Sequence, residues 1–501
     1  MLDTVECHHA RCSAVPVGRI LLSWGASVVA TVYCARGRRG NEPMGQGQMK
    51  NVVRNYDGGI TASPAQLVSP RSAAEIQAIL RDASRYPSPV RAMGSYHSLT
   101  PCASSDGTII SMSAMKRIVQ IDQEKMTFTA EAGLQFVDAS RALRAQKLQF
   151  LTNIEIGNMS LGAAACCHTK DGLDGGEFGQ VGSYLTKIKW VTPAGDLAQA
   201  STADNPELLR RMRSSYGLCG VVYEVTFRIK PLQVIQFNYL PRPIKDLTEK
   251  EVDEIIDASR GLVCWTVGRR AHFQTRKAID RIGPFGSLFA AGRRKLWSHT
   301  EARVGRFIDR RIPTRSLRNA SHRAWFSGSK LLMSTLRRVG GATLYNPDKT
   351  IDYARTRPSA RYAFTFWAFP RSQWLGTLRE YLEFSEQHFN KYDFRCNMPL
   401  GSYFIRKDTS SILSYTYDGD IFSIDPIHAY TDRPAWDIFL NEFNEFAYKR
   451  NGIPLLNQSP FVDRRHVEAA YGDRWKEFSA WVGQSDPGRR MLNPFFAGLL
   501  S

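Results

Sequence analysis

A strand-like run, VRAM (90–93), stops at Gly94-Ser95-Tyr96-His97-Ser98. A small-residue turn of this kind exposes consecutive backbone N–H groups, an arrangement suited to an anion such as a pyrophosphate. His97, on that turn, has four readings: a buried spacer, a metal ligand, a catalytic base or a covalent attachment point. No GxxxxGKS/T loop occurs, and no GxGxxG sits between a strand and a helix, so neither kind of glycine-rich nucleotide fingerprint is supported. The nine cysteines are odd in number and irregularly spaced, with no CxxC pair or Cys/His run at zinc spacing. No metal site is therefore expected, and the thiols read as reduced, as in the cytosol.

The elements around that turn are punctuated clearly. Ser72 with Glu75 three residues on is a capping box that opens a helix bearing Ile76, Ile79, Leu80 and Ala83 on one face. GTIISM and MTFTAEAG read as strands, QFVDASRALRAQKL as a helix, and LTKIKWVTPAGDLAQAST as a strand, a turn and a strand. DNPELLRRMRSS starts a helix at Asp204 and Pro206, and GVVYEVTFRIKP alternates as a half-exposed strand up to Pro231. Beyond it, RYAFTFWAF, SYFIRK, SILSYTY and DIFSIDPI read as strands between the helices SQWLGTLREYLEFSEQHF and AWDIFLNEFNEFAYKR. The fold class expected is α+β. Its units are an extension over 1–50, a first domain over 51–232, a second α+β domain over 233–480, and a tail over 481–501 that docks back.

At 501 residues two domains are the natural expectation, and 43% hydrophobic with 23% charged residues is globular composition. The net charge of +19 is concentrated: residues 269–338 carry 18 Lys/Arg against Asp280, Glu301 and Asp309. Aromatic and leucine side chains interleave with those cations, which suits an anionic membrane surface better than nucleic acid, for which no recognised module surrounds the segment. Ile20–Cys34 is a 15-residue run without a charge. That is short of the about 20 apolar residues of a spanning helix, so it reads as a dispensable extension or a weak anchor. The expected location is cytoplasmic, peripheral to or anchored at a membrane.

Five ordered segments carry a resemblance. They are GSYHSLTPCASSDGTIISMSAMKRI, TFTAEAG, NIEIGNMSLGAAACCHTKDG, GEFGQVGSYLTKIKWVTPAGDLAQAS and NPELLRRMRSSYGLCGVVYEVTF. Together they resemble the PCMH-type FAD-binding half of the vanillyl-alcohol oxidase superfamily, in the branch of the aldonolactone and alditol oxidases. The resemblance covers roughly 65–232 and returns weakly at MLNPFF. It implies FAD held between two α+β subdomains, with a substrate domain capping the flavin. Gly94, Ser95, Tyr96, His97 and Ser98 match the pyrophosphate loop, and His97 matches the position that links the flavin covalently in many members. Gly157, Asn158, Ser160, Gly162 and Ala163 match a second loop across the flavin. Val221 and Val222 match the strand at its nucleotide end, and Asn493 the C-terminal motif. His168 joins this cofactor set.

The chain departs from the pattern where relatives handle sugars. Their Glu-x-Arg pair aligns with Gly401 and Tyr403, their His-Trp-Gly-Lys segment with GIPLLNQSP, and their GTHG with Cys167-His168-Thr169-Lys170. Tyr403, Asn457, Gln458 and Arg395 are the residues expected at the reacting carbon. The function implied is removal of hydride from a CH–OH carbon of a sugar-, polyol- or lactone-like molecule, with oxygen or another acceptor taking the electrons. Two alternatives stand beside it. One is a flavin dehydrogenase or reductase on a lipid-linked or hydrophobic substrate at a membrane. The other is a non-catalytic flavin fold that binds through its basic segment.

Overall fold

The computed structural model describes residues 51–154, 156–172, 178–259, 261–279, 303–340, 343–345, 362–429 and 433–500. Expectations for the N-terminal extension and for much of the basic segment fall outside them.

Besides the short pair Val53–Arg54 and Thr61–Ala62, the first half holds two sheets among the described residues. A parallel three-stranded sheet orders Gln66–Val68, Thr108–Ser111 and Val90–Met93, with Thr108–Ser111 in the middle. The helix Ala73–Arg81 lies between its first two strands in sequence. Ser72 accepts from Glu75 N at 3.2 Å, while the Glu75 carboxylate reaches back to Arg71 N at 2.9 Å. The second sheet is antiparallel, in the order Leu197–Ser201, Leu185–Val191, Val221–Pro231, Thr127–Glu131, Ile118–Asp122. Leu148–Phe150 joins the far end of Val221–Pro231. Phe128, Phe136, Phe150 and Phe227 close the core between this sheet and the helix Phe136–Ala145.

Among the described residues the second half is built on an eight-stranded antiparallel sheet, running from Thr343–Tyr345 through Val234–Pro243, Arg270–Ile279, Gly261–Val267, Leu400–Ile405, Ile421–Ile424 and Trp367–Pro370 to Ile453–Pro454. The helix Arg371–Tyr392 packs on its later strands, and the helices Glu249–Asp257 and Arg433–Tyr448 share the same core. The whole is α+β.

Three differences from the sequence reading have physical causes. RYAFTFWAF is split: Ala363–Phe364 pairs with Ile427–His428, while Trp367–Pro370 enters the large sheet. SILSYTY forms turns rather than a strand, because its own hydroxyls take over the role of ladder partners. Ser414 Oγ accepts from Thr416 N at 3.3 Å, and Tyr415 Oη donates to Thr169 O at 2.8 Å. Segments ahead of residue 481 also pack in the first half. Val467, Tyr471, Trp475, Phe478 and Val482 already belong to the core of the first half, together with Met491, Phe496 and Leu499.

Candidate active site

The strand Val90–Met93 delivers its chain end to Gly94, where a Cβ would come within 3.1 Å of Ser160 Cβ. Only glycine lets the two loops meet so closely. Ser95 Oγ donates to Asn158 O, which stitches the turn to the second loop. Tyr96 turns the chain with φ 51°, and Asn55 Nδ2 holds Ser98 O at 2.9 Å. The ring of His97 stacks on Tyr56 at 4.1 Å. Across from this turn, Ser160 caps the short helix Leu161–Cys166, and a Cβ on Gly162 would lie 2.8 Å from Ala132 Cβ.

These segments enclose an open-sided cavity. Gly94 to Ser98, Ser160, Gly162, Ala163, Val222, Asn457 and Gln458 all line it. Other residues of the expected cofactor set stand behind the wall. Val221 is buried in the sheet opposite Val191, and the Gly157 carbonyl is taken by Val137 N at 2.8 Å. Asn493 donates to the carbonyls of Pro101 and Ser104 at 3.0 and 2.9 Å and accepts from Phe496 N, so it fastens the tail to the segment after the His97 turn.

His168 is one layer out as well. It is fully buried, its Nε2 lies 2.6 Å from Leu413 O, and its Nδ1 lies 2.7 Å from Tyr216 Oη. A carbonyl only accepts, so Nε2 carries the proton and Nδ1 accepts from the tyrosine. Burial pushes its pKa down to about 3, so the ring is neutral. It positions Tyr216, which does line the cavity, and its carbonyl accepts from Asn457 Nδ2 at 3.1 Å.

Arg91, which the sequence reading passed over, lines the cavity with only 2% of its surface exposed. Its guanidinium donates to the carbonyls of Cys102 (2.8 and 3.1 Å), Tyr216 (2.5 Å), Met491 (2.9 Å) and Gly217 (3.4 Å). One cation thus ties three chain segments together, and no carboxylate sits among these partners. Burial lowers its pKa but leaves a fixed positive charge beside the cavity. An arginine inside an otherwise apolar strand was the available signal. Cys166 and Cys167 also line the cavity, with thiols pushed up by burial, Cys166 to about 12. Protonated at neutral pH, they are poor nucleophiles.

A second chamber adjoins the first and shares Ile156, Met159, Phe364 and Gln458 with it. Tyr403 lines this chamber, as do Trp265, Tyr362, Lys170 and Asp425. Lys170 Nζ is ion-paired with Asp425 and lies 4.5 to 4.7 Å from the ring centroids of Tyr403, Phe366 and Phe364. Arg395 is in neither cavity. It lies over the Phe389 ring at 3.9 Å and faces Glu386 at 3.4 Å.

Residues 64–201 match the family model described as an FAD binding domain. L-gulono-1,4-lactone dehydrogenase of Mycobacterium tuberculosis is 26% identical over 211 residues, 42% of this chain and 48% of that protein. L-gulonolactone oxidase of Scyliorhinus torazame is 28% identical over 205 residues, 41% of this chain and 46% of that protein. The chain thus spans about half the length of the curated relatives it matches. Among solved structures, the cholesterol oxidase of B. sterolicum superposes with a TM-score of 0.67 at 14% identity, over 90% of this chain and 97% of that one. That likeness concerns the fold.

The cavity lining fits FAD. Gly94 leaves room for a diphosphate to approach the backbone, and Arg91 supplies positive charge near it. Asn158 Oδ1, Asn457 Oδ1 and Gln458 Oε1 are buried with no hydrogen-bond partner among the described residues, and an oxidised flavin ring would present its one N–H to such an acceptor.

Proposed function

We propose that this chain, whose residues 64–201 are an FAD binding domain, is an FAD-dependent oxidoreductase acting on a CH–OH carbon. The observation that carries the reading is the chamber that opens beside the cofactor cavity and shares its wall at Phe364 and Gln458. FAD, when bound, supplies the hydride acceptor. The protein's own part is to hold the cofactor, exclude water and take the hydroxyl proton. Gln458 borders both spaces and so reaches cofactor and substrate alike, with Asn457 beside it and Tyr403 on the chamber's far side. Arg395 has no part in this set, because it packs on Phe389 instead. The relatives named above oxidise sugar lactones by their names, which supports a hydroxyl-bearing donor here. Bound FAD would in turn pass its electrons to oxygen or another acceptor.

His97 is assigned the tether. Its imidazole lines the cavity and stacks on Tyr56, which supports that assignment. Two experiments test the reading. Under anaerobic conditions a panel of alcohols and lactones is expected to bleach the flavin with at least one member, and no bleaching by any of them would count against oxidation. Acid precipitation is expected to leave the colour in the pellet of the wild type and to release it from His97→Ala; release from both would reduce His97 to a contact residue.

A second reading concerns the surface. Phe307 and Leu317 are 62% and 57% exposed among Arg303, Arg310, Arg311 and Arg315, a pattern suited to anionic lipid headgroups. Among the described residues no helix is long and apolar enough to cross a membrane. Flotation with vesicles containing phosphatidylserine, but not with neutral vesicles, is the expected result; equal behaviour with both would remove this reading.

A further inference from the structure

The chamber beside the cofactor cavity has a composition unlike that expected of a sugar site. Ile154, Ile156, Met159, Trp265, Phe364 and Ile427 form most of its wall. Its polar groups are few. Thr169 spends its hydroxyl oxygen on Val181 N at 2.9 Å, which leaves chiefly the Lys170–Asp425 pair, two tyrosine hydroxyls and the Gln458 amide. A polyhydroxylated molecule entering this space would lose water from several hydroxyls at once. Each one left unsatisfied costs about 1–3 kcal/mol.

We propose that the chamber receives a neutral ring-bearing alcohol with an apolar body, and that Lys170 and Asp425 together take its one reacting hydroxyl. The proposal rests on the oxidoreductase reading and narrows its substrate. The pair is almost wholly enclosed, with side-chain exposures of 11% and 1%. It presents one set of donors and one acceptor: the ammonium donates to the hydroxyl oxygen, and the carboxylate accepts the hydroxyl hydrogen. Its net charge is zero, so it favours neither an anionic nor a cationic substrate.

Both partners are held in place. Three aromatic faces surround the Lys170 ammonium, an arrangement that is attractive and also fixes its position. Asp425 is pinned by a backbone bridge to Gly401, Asp425 N to Gly401 O at 2.8 Å and Gly401 N to Asp425 O at 3.2 Å. A Cβ on Gly401 would stand 3.6 Å from Asp425 Cβ, Trp265 Cζ3 and Tyr403 Cε2, so this bridge lies directly beside the pair and two of the chamber's aromatic walls.

In the step assigned, the hydroxyl O–H bond breaks and its proton passes to the Asp425 carboxylate. Bound FAD would supply the acceptor for the hydrogen and electron pair that leave the same carbon, whose carbon–oxygen bond becomes a carbonyl. The Lys170 ammonium hydrogen-bonds the oxygen as negative charge develops on it. The alcohol loses two electrons and the flavin gains them.

The test uses the full-length, flavin-loaded protein. Cyclohexanol and 2-indanol serve as ring alcohols and L-gulono-1,4-lactone as the polyol, with anaerobic flavin reduction and substrate-induced changes in the flavin spectrum as readouts. A ring alcohol is expected to reduce the flavin at least about tenfold faster per unit concentration than the lactone. Asp425→Asn is expected to slow that reduction by about 100-fold or more while the spectral binding constant moves little. Because either single change leaves a buried charge unpaired, the double variant Lys170→Met/Asp425→Asn is measured too, and its loss is expected to equal that of Asp425→Asn. Retained flavin absorbance per chain shows that each variant is folded. A lactone that outpaces both ring alcohols, ring alcohols that leave the flavin unchanged, or an Asp425→Asn protein that reduces at the wild-type rate would each overturn the proposal. A protein that takes up no FAD would instead overturn the reading beneath it, and this proposal with it.

Discussion

The cofactor cavity takes most of its lining from glycines and other small residues, with Arg91, Tyr96, His97 and Tyr216 among them, whereas the chamber beside it is walled mainly by large side chains around one ion pair. Flavin and diphosphate offer the same atoms whatever is being oxidised, so their cradle is built from backbone, within contiguous turns such as 94–98 and 157–163. A substrate is recognised by side chains, and these come from wherever the fold brings them. Lys170 lies on a loop of the first half, Trp265 and Tyr403 on neighbouring strands of the large sheet, and Asp425 just past the strand Ile421–Ile424. The two regions should therefore fail differently when altered: the first through cofactor loss, the second through slowed chemistry with the cofactor still bound.

Gly94→Val breaks that contrast most severely. Its side chain would be driven into Ser160, and the protein is expected to purify without flavin and to take up none, read from the flavin-to-protein absorbance ratio. Arg91→Met comes next. It removes the cation and strands the carbonyls of Cys102, Tyr216 and Met491, so FAD affinity should fall by about tenfold to a hundredfold and Tm should drop with it. Arg91→Lys should not rescue this, since one ammonium cannot span three chain segments.

Acid should act on both regions through buried neutral histidines. His168, one layer behind the first, and His428, next in sequence to Ile427 of the second, have pKa values lowered by burial to about 3 and about 4, from 6.5 when exposed. Between those values and 6.5 the unfolded chain binds protons that the folded one does not. Stability is therefore full above pH 6.5 and falls as the pH drops toward the folded values, by about 2 kcal/mol for each histidine at pH 5. Urea midpoints at pH 7 and pH 5 check this, and His168→Gln, which keeps a donor and an acceptor, should halve the difference. A flat profile would show that these rings are not held neutral. Arg395→Ala has the smallest expected effect, less than about twofold on flavin reduction, because the residue lies in neither cavity.

What could be read from the sequence follows the same division. The capped helix at Ser72, the strand ending at Gly94, and the loop pair around His97 and Ser160 are local signals, written within a few residues of where they act. Gly401 and Tyr403 showed that a sugar-handling ionic pair was missing from that strand. That a carboxylate stands opposite, on Asp425, depends on a bridge between residues 24 positions apart in sequence, which no local pattern records. His168 was placed at the flavin because it lies beside a matching motif, yet its neighbours are Leu413 and Tyr216 from distant segments. The hairpin Gly261–Val267 and Arg270–Ile279 was masked by its charge, since Arg276, buried and paired with Asp171 at 2.9 Å, reads in sequence as surface.

The most direct measurement is FAD uptake by the purified full-length protein, followed by flavin absorbance. The account predicts about one flavin per chain, seated against Gly94 and Ser160 and therefore lost in Gly94→Val. A protein that binds no FAD, or a Gly94→Val variant that binds it as well as the wild type, would contradict it.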